Sequence, residues 1–315
     1  MTTATVLDMR ELRAAGRPWK VIHRLEQSGD YVQMFRSVLV RRSALDDPEV
    51  RARAISTVLP PGGAVCRESA AWLHGIDARA PGMHLRPPAL QCIVPVGVSR
   101  VRRSGQRCWT SDATHEDIHI VRGVPTTTPA RTALDLARYA PRFLALAAVD
   151  AYAHQGYVDP PDLARRARLL AGARNIARAR FVIEQCEPAT ESAGESWLRL
   201  RLVEADLPRP EPQIRIRDTH GRELYRLDLG YPTVRVGVEY DGEAFHHATA
   251  AQVVADEQRR RDLAQRFGWT VIGVHRGDVL GRRNDLERTV AGLIGFEGVV
   301  MARQDWGWRA PDAGR

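Results

Sequence analysis

Hydrophobic and polar positions alternate most regularly near the C-terminus, in the stretch VRVGVEYDG that begins at Val234. The alternation predicts a strand whose first face carries four apolar or aromatic residues, Val234, Val236, Val238 and Tyr240. The second face then carries Glu239 and Asp241. A buried carboxylate needs a counter-charge or a metal ion, because an unpaired buried charge is costly. The alternative is a solvent-exposed strand face that happens to carry two acids.

The elements around this strand follow a regular order. ESWLRLRLVEADLP predicts a helix, PQIRIRD and ELYRLDLGY predict two strands, and VRVGVEYDG is the third. AAQVVADEQRRRDLAQRFG predicts a helix that ends at Gly268, WTVIGVH predicts a fourth strand, and RNDLERTVAGLIG predicts a last helix. The sequence therefore predicts an αβββαβ core whose first three strands form a meander.

The first 42 residues predict a smaller unit. TVLDMRELRAAG and WKVIHRLEQSGD have helical spacing, and YVQMFRSVLVRR predicts two short strands. Helix, helix and hairpin outline a winged helix-turn-helix, whose second helix would present Lys20 and Arg24 to a DNA groove. The alternative is a helical hairpin that only packs on its neighbour.

Residues 43–187 alternate between predicted helices and strands, and the acidic, turn-rich segment EQCEPATESAGES marks a boundary. We expect an α/β chain of the α+β multi-domain type. Its parts are a winged-helix-like unit at 1–42, a mixed middle domain at 43–187, a C-terminal core at 188–300 and a tail at 301–315.

Charge narrows the choice of partner. The chain has 315 residues, a net charge of +8 and 46 basic residues, of which only Lys20 is a lysine. A basic surface favours nucleic acid, although a generic basic protein has the same balance. No apolar run approaches the ~20 residues that a membrane span needs, so we expect a cytoplasmic protein without a membrane partner.

The predicted core brings several acids together. Asp228 lies in the strand before Glu239, and an antiparallel pairing of the two strands lets these carboxylates converge. Glu195 shares the apolar face of the preceding helix with Leu198 and Leu202 and can join them. Oxygen ligands of this kind suit Mg²⁺ or Mn²⁺, either of which can polarise a phosphodiester.

RLDLGYPTVRVGVEYDGEAFHH, with ESWLRLRL before it and RRRDLAQRFGWTVIGVH after it, resembles the PD-(D/E)xK nuclease superfamily. It is most similar to the domain-of-unknown-function group related to Vsr-type endonucleases, over roughly residues 190–295. The resemblance implies a restriction-endonuclease-like fold and a metal-dependent DNA endonuclease or nickase. It assigns Asp228 as the central metal ligand, Glu239 as the second acidic ligand and Glu195 as a ligand from the helix.

The third position of that motif departs from the family. Asp241 stands where many members have a lysine, so the usual residue that orients water is missing. His246 falls where Vsr-type enzymes place a catalytic histidine, and its neighbour His247 is the alternative. Arg259 and Arg260 lie beside the candidate nuclease site. They either contact phosphate there or form a solvated helix face.

SAAWLHGI and GVPTTTPARTALDLA resemble the AbiE type IV antitoxin domain, which follows a winged helix. That resemblance implies promoter binding, repression of the protein's own operon and a cognate toxin as partner. Two hypotheses follow from the sequence. The first is a metal-dependent endonuclease with an N-terminal DNA-binding region. The alternative is a non-catalytic DNA-binding antitoxin whose nuclease fold is inactive.

Overall fold

A computed structural model describes residues 5–83, 89–100, 105–242 and 250–306. The chain falls into two units, Met1–Leu136 and Ala137–Arg315. Both mix helices with β-sheet, which confirms the predicted α/β, multi-domain class. The finer boundaries after residues 42, 187 and 300 stay predictions. No helix in the described ranges has the length and apolar character that crossing a membrane requires.

The first unit contains most of the short strands. Its elements, apart from two short 3-10 helices, are β1 (Val6–Asp8), α1 (Met9–Ala14), α2 (Trp19–Gln27), β2 (Tyr31–Phe35), β3 (Val38–Arg41), α3 (Pro48–Val58), β4 (Ala64–Val65), α4 (Arg67–Leu73), β5 (Leu90–Pro95), β6 (Gln106–Ser111), β7 (Ile118–Val121), β8 (Val124–Thr127) and α5 (Pro129–Tyr139), which runs past the division. The predicted helix, helix and hairpin of the first 42 residues are present.

A strand precedes the first helix, which the helical spacing from Thr5 onward does not predict. Val6 pairs with Val40, so β1 joins β3 and β2 in a three-stranded sheet of order β1-β3-β2. Asp8 ends the strand and caps α1, because its side chain accepts a hydrogen bond from the N–H of Arg10 at 2.8 Å. The pairing with β3 overrides the helical pattern of these residues.

The second sheet of this unit has the order β6-β5-β4-β8-β7. The stretch DIHIVRGV, in the region of alternating predicted helices and strands, contains the first strand and the turn of a hairpin. Arg122 and Gly123 both have positive φ, 47° and 78°, and this turn returns the chain as β8. Helices α3 and α4 bury apolar residues in the same core as Val65 and Leu90 of this sheet.

The second unit is helical at first and then carries one sheet. Its elements are α6 (Arg142–His154), α7 (Pro160–Leu169), α8 (Ile176–Glu184), α9 (Ala193–Glu204), β9 (Glu211–Arg217), β10 (Glu223–Tyr231), β11 (Val236–Tyr240), α10 (Ala250–Phe267), β12 (Thr270–Val274), α11 (Arg276–Leu280) and α12 (Asp285–Ile294). The sheet order is β12-β11-β10-β9, antiparallel except for the parallel β11–β12 pair. From α9 to β12 the predicted order αβββαβ is confirmed.

Strand β11 is shorter than predicted. The chain turns over residues 232–235, so Val234 is 48% exposed and does not share the buried face. Arg235 adopts a φ of 53° in this turn, and its backbone carbonyl accepts a hydrogen bond from the N–H of Thr270 at 2.9 Å. Val236 and Val238, at 2% and 0% exposure, are buried as predicted.

A buried ion pair fixes α9 against α6. Arg199, fully buried, donates to the carboxylate of Asp150 and to the backbone carbonyl of Gln185. On the same helix Arg201 donates to the carbonyl of Val279 at 2.9 Å. These contacts hold α9, and therefore its N-terminal acid, in one orientation relative to α6 and α11.

Candidate functional site: an acidic cluster at the ends of β10 and β11

The pairing of β10 with β11 sets the position of two acids. Leu229 pairs with Val238, so the register places Asp228 opposite Glu239. The Oδ2 atom of Asp228 accepts a hydrogen bond from the backbone N–H of Tyr240 at 2.9 Å. Because this contact joins a side chain of one strand to the backbone of the next, it fixes the carboxylate at the strand pair.

Helix α9 supplies a third acid. Ser192 caps the helix by accepting a hydrogen bond from the N–H of Glu195 at 3.2 Å. Glu195 is only 5% exposed, and its Oε2 accepts a hydrogen bond from Nε2 of Gln213 at 2.9 Å. The preceding Gly194 lies directly under the ring of Tyr240, where an added Cβ would come within 2.1 Å of the ring. The glycine thus permits the close approach of α9 to β11.

These three carboxylates are near enough to affect one another. Burial, together with the negative charges of Glu195 and Glu239, raises the pKa of Asp228 to about 6. The N–H of Tyr240 and the guanidinium of Arg259 act in the opposite sense. The structure therefore brings together Asp228, Glu239 and Glu195, the three residues predicted as metal ligands.

Arg259 of α10 already supplies a positive charge to this cluster. Its Nη1 and Nη2 donate to the two carboxylate oxygens of Glu239 at 2.7 and 2.5 Å, and Nη2 also donates to the backbone carbonyl of Arg226 at 3.1 Å. Glu239 is 8% exposed, so these two hydrogen bonds from the guanidinium are the main compensation for burying its charge. Both of its oxygens face an arginine.

Mg²⁺ does not fit the cluster as it is arranged. A divalent ion needs carboxylate oxygens that face it, and those of Glu239 are taken by the guanidinium. Within the ranges that the structure describes, no three His, Cys, Asp or Glu side chains are positioned to hold a metal ion. Arg259 stands where the predicted ion would bind Glu239.

Asp241 lies beside this cluster, near enough for the charge of Glu239 to raise its pKa. Its backbone N–H donates to the carbonyl of Val274 at 2.8 Å, and its side chain lies over Gly273, where an added Cβ would come within 2.2 Å of Oδ2. Burial raises the pKa of Asp241, and the nearby charges of Arg260 and His275 lower it. Asp241 thus faces β12 and α10 and is 3.6 Å from Nη2 of Arg260.

The remaining predicted residues lie elsewhere. His246 and its neighbour His247 lie outside the described residues. Arg260 pairs with Asp256 at 3.0 Å as well as with Asp241, so both arginines predicted to contact phosphate face carboxylates. Lys20 and Arg24 lie on α2 of the first unit, both exposed.

Sequence reasoning missed two participants. It considered Arg259 for phosphate contact or for a solvated helix face, whereas Arg259 pairs with Glu239, 20 positions away. It did not consider His275, whose Nδ1 is 3.4 Å from the carbonyl oxygen of Asp241. The available signal was the helix phase, since Arg259 lies four residues before Leu263, which α10 buries in the core.

Comparison with known proteins places the chain in a family. Residues 63–185 match the model of the AbiEi antitoxin C-terminal domain, inside the region predicted to be antitoxin-like. The chain is 30% identical over 239 residues to the uncharacterized protein Rv2248 of Mycobacterium tuberculosis (strain H37Rv), covering 75% of this chain and 83% of that protein. The uncharacterized protein MT2308 of strain CDC 1551 matches over the same extent. The chain belongs to the family of these mycobacterial proteins, and its middle part is similar to the AbiEi antitoxin domain.

Proposed function

We propose that the chain is a DNA-binding regulator of the antitoxin class. The observation that carries the proposal is the match of residues 63–185 to the AbiEi antitoxin C-terminal domain. By the same match, the partner is a cognate toxin protein. The second unit then serves binding or stability through its nuclease-like αβββαβ core, without cleavage.

The N-terminal elements support the DNA-binding part of this proposal. Helix α2 follows α1 directly and precedes the β2–β3 hairpin, which is the order of a winged helix-turn-helix. Lys20 and Arg24 are exposed on α2, and Trp19 beside them is 53% exposed. An exposed basic helix of this kind suits a DNA groove.

The test is binding to duplex DNA from upstream of the protein's own gene, followed by fluorescence anisotropy over a range of salt concentrations. We expect the double variant Lys20→Gln, Arg24→Gln to lower the salt slope by about 2, because each lost phosphate contact lowers it by about 1. Asp228→Ala is the matched control and keeps the wild-type affinity. Failure of the wild-type protein to bind this DNA would refute the proposal.

The second candidate function is metal-dependent cleavage of phosphodiesters by the second unit. The convergence of Asp228, Glu195 and Glu239, with the raised pKa of Asp228, favours it. The fork between Arg259 and Glu239 counts against it and places it second. Plasmid nicking in Mg²⁺ or Mn²⁺ by wild type, and not by Asp228→Ala, would reverse this order. Equal nicking by both proteins would indicate a contaminant.

A further inference from the structure

We propose that a pocket between α1 and the β2–β3 turn binds a backbone phosphate of duplex DNA, an inference that rests on the proposed DNA-binding function. The pocket has a volume of about 340 Å³. Its polar lining comes from five residues, Arg10, Arg13, Arg36, Ser37 and Gln106. None of them was singled out by the sequence, because α1, the hairpin turn and β6 meet only in the fold.

The three arginines of the pocket differ in how their charge is balanced. Arg10 donates from Nε to Oδ1 of Asp8 at 3.1 Å, from Nη2 to Oδ2 at 2.7 Å, and to the carbonyl of Thr57 at 2.8 Å. The charge of Arg10 is therefore balanced by Asp8, and its side chain is held in place. Arg13 and Arg36 are exposed and form no ion pair within the part of the chain that the structure describes. Two uncompensated guanidinium groups at one pocket favour an anion.

Arg13 connects the pocket to α2. Its guanidinium lies over the ring of Trp19, 4.9 Å from the centroid. Trp19 in turn stacks on His23 with a centroid distance of 6.2 Å and an interplanar angle of 14°. The cation–π contact holds the guanidinium beside the helix that carries Lys20, so pocket and helix form one basic surface.

Neutral donors complete the pocket. The hydroxyl of Ser37 can donate to a phosphate oxygen. The Oε1 atom of Gln106 is buried and has no hydrogen-bond partner in the structure. Gln106 lines the pocket, its amide also carries an NH₂ donor group, and amide orientation follows the bonded partner. Hydroxyls, amides and arginines are the groups that contact DNA phosphates.

An acidic protein segment presents similar charge, but the exposed rings favour nucleic acid. Trp19 is 53% exposed and α2 also carries Lys20 and Arg24, so the surface next to the pocket is both aromatic and basic. A phosphate in the pocket would anchor the backbone while α2 contacts the groove, as phosphate contacts set the register of a protein on DNA.

The experiment measures the affinity of the full-length protein for a 30-base-pair duplex of random sequence by fluorescence anisotropy across a salt series. Backbone contacts do not depend on sequence, so a random duplex suffices. The test variant is Arg13→Gln, Arg36→Gln. The control is Arg166→Gln, Arg168→Gln, which removes two exposed arginines of α7 and changes the net charge equally. A third variant, Arg13→Lys, Arg36→Lys, keeps the charge and guards against loss by misfolding.

We expect the pocket variant to lower the salt slope by about 1, because the contact with one phosphate is lost. The lysine variant restores most of the slope, and the α7 control keeps the wild-type value. An unchanged slope in the pocket variant, or an equal loss in the α7 control, would overturn the pocket while leaving the DNA-binding function intact. If the wild-type protein binds neither the random duplex nor the upstream DNA, both the pocket and the proposed DNA-binding function are overturned.

Discussion

Removal of the Arg259 side chain tests whether this residue supplies the counter-charge of the acidic cluster. In Arg259→Gln, Glu239, which is 8% exposed in the wild type, loses both hydrogen bonds from the guanidinium. Removing one partner of a fully buried pair costs about 3–5 kcal/mol, and exposed pairs contribute about 0–1 kcal/mol. Because the Arg259 side chain is 27% exposed, we expect a loss near 2 kcal/mol in the free energy of unfolding, an intermediate value on that scale.

The assay is urea unfolding at pH 7, with hydrogen exchange in β11 to assign the transition to the second unit. Arg261→Gln is the matched control, because Arg261 lies on the same helix in an exposed pair with Glu257 at 3.1 Å. We expect that control to change the free energy of unfolding by less than about 0.5 kcal/mol.

The same unfolding assay, repeated with Mg²⁺, tests whether Arg259 excludes a metal ion from the cluster. Arg259→Gln leaves three carboxylates without the guanidinium, so Mg²⁺ should stabilise this variant and leave wild type unchanged. A Kd of about 1 mM would return about 1.4 kcal/mol at 10 mM Mg²⁺. Equal stabilisation of wild type by Mg²⁺, or equal losses in Arg259→Gln and Arg261→Gln, would refute the reasoning.

Three further predictions concern the rest of the fold. Burial, together with the nearby His119, lowers the pKa of His74 to about 4, so the stability that a neutral His74 contributes is complete above pH 6.5 and is lost as pH falls toward 4. The loss should reach about 2–3 kcal/mol, and unfolding of His74→Asn at pH 7 and pH 4.5 should be less pH-dependent. Gly194→Ala should lower the melting temperature by pushing the helix off Tyr240, whereas Ala193→Gly, one position earlier, should lower it less. Leu39→Ala, at a site with 0% exposure, should cost about 2–4 kcal/mol in urea unfolding, and a loss below 1 kcal/mol would contradict the assigned core.

The C-terminal core was predictable because its signals are local. Alternation in β9 to β11, the closing Gly268 and the helical spacing of α10 each act within about ten residues. Residues 5–8 and the Arg122–Gly123 hairpin were not predicted. In the first case strand pairing over more than 30 positions overrides a helical pattern, and in the second one apolar run contains a turn.

The sequence predicted which acids form the cluster, but it did not predict which arginine balances their charge. The spacing of Asp228 and Glu239 follows from the strand register, which a meander sets. The choice of Arg259 over Arg260 or Arg261 as the partner of Glu239 depends on the phase of α10 against the sheet. Three consecutive arginines carry no sequence signal that separates them, so this part required the fold.

The packing of Gly194 on Tyr240 has a consequence for how relatives of this chain diverge. A Cβ at position 194 would clash with the ring of Tyr240, so this position requires glycine whether or not the neighbouring acids bind a ligand. Glu195 can be exchanged during evolution without disturbing that contact, whereas an added methyl group at position 194 cannot be accommodated without a shift of the helix. Relatives that have lost the acids should therefore retain the glycine, and its presence in an alignment will mark an intact helix–strand junction rather than a surviving chemistry.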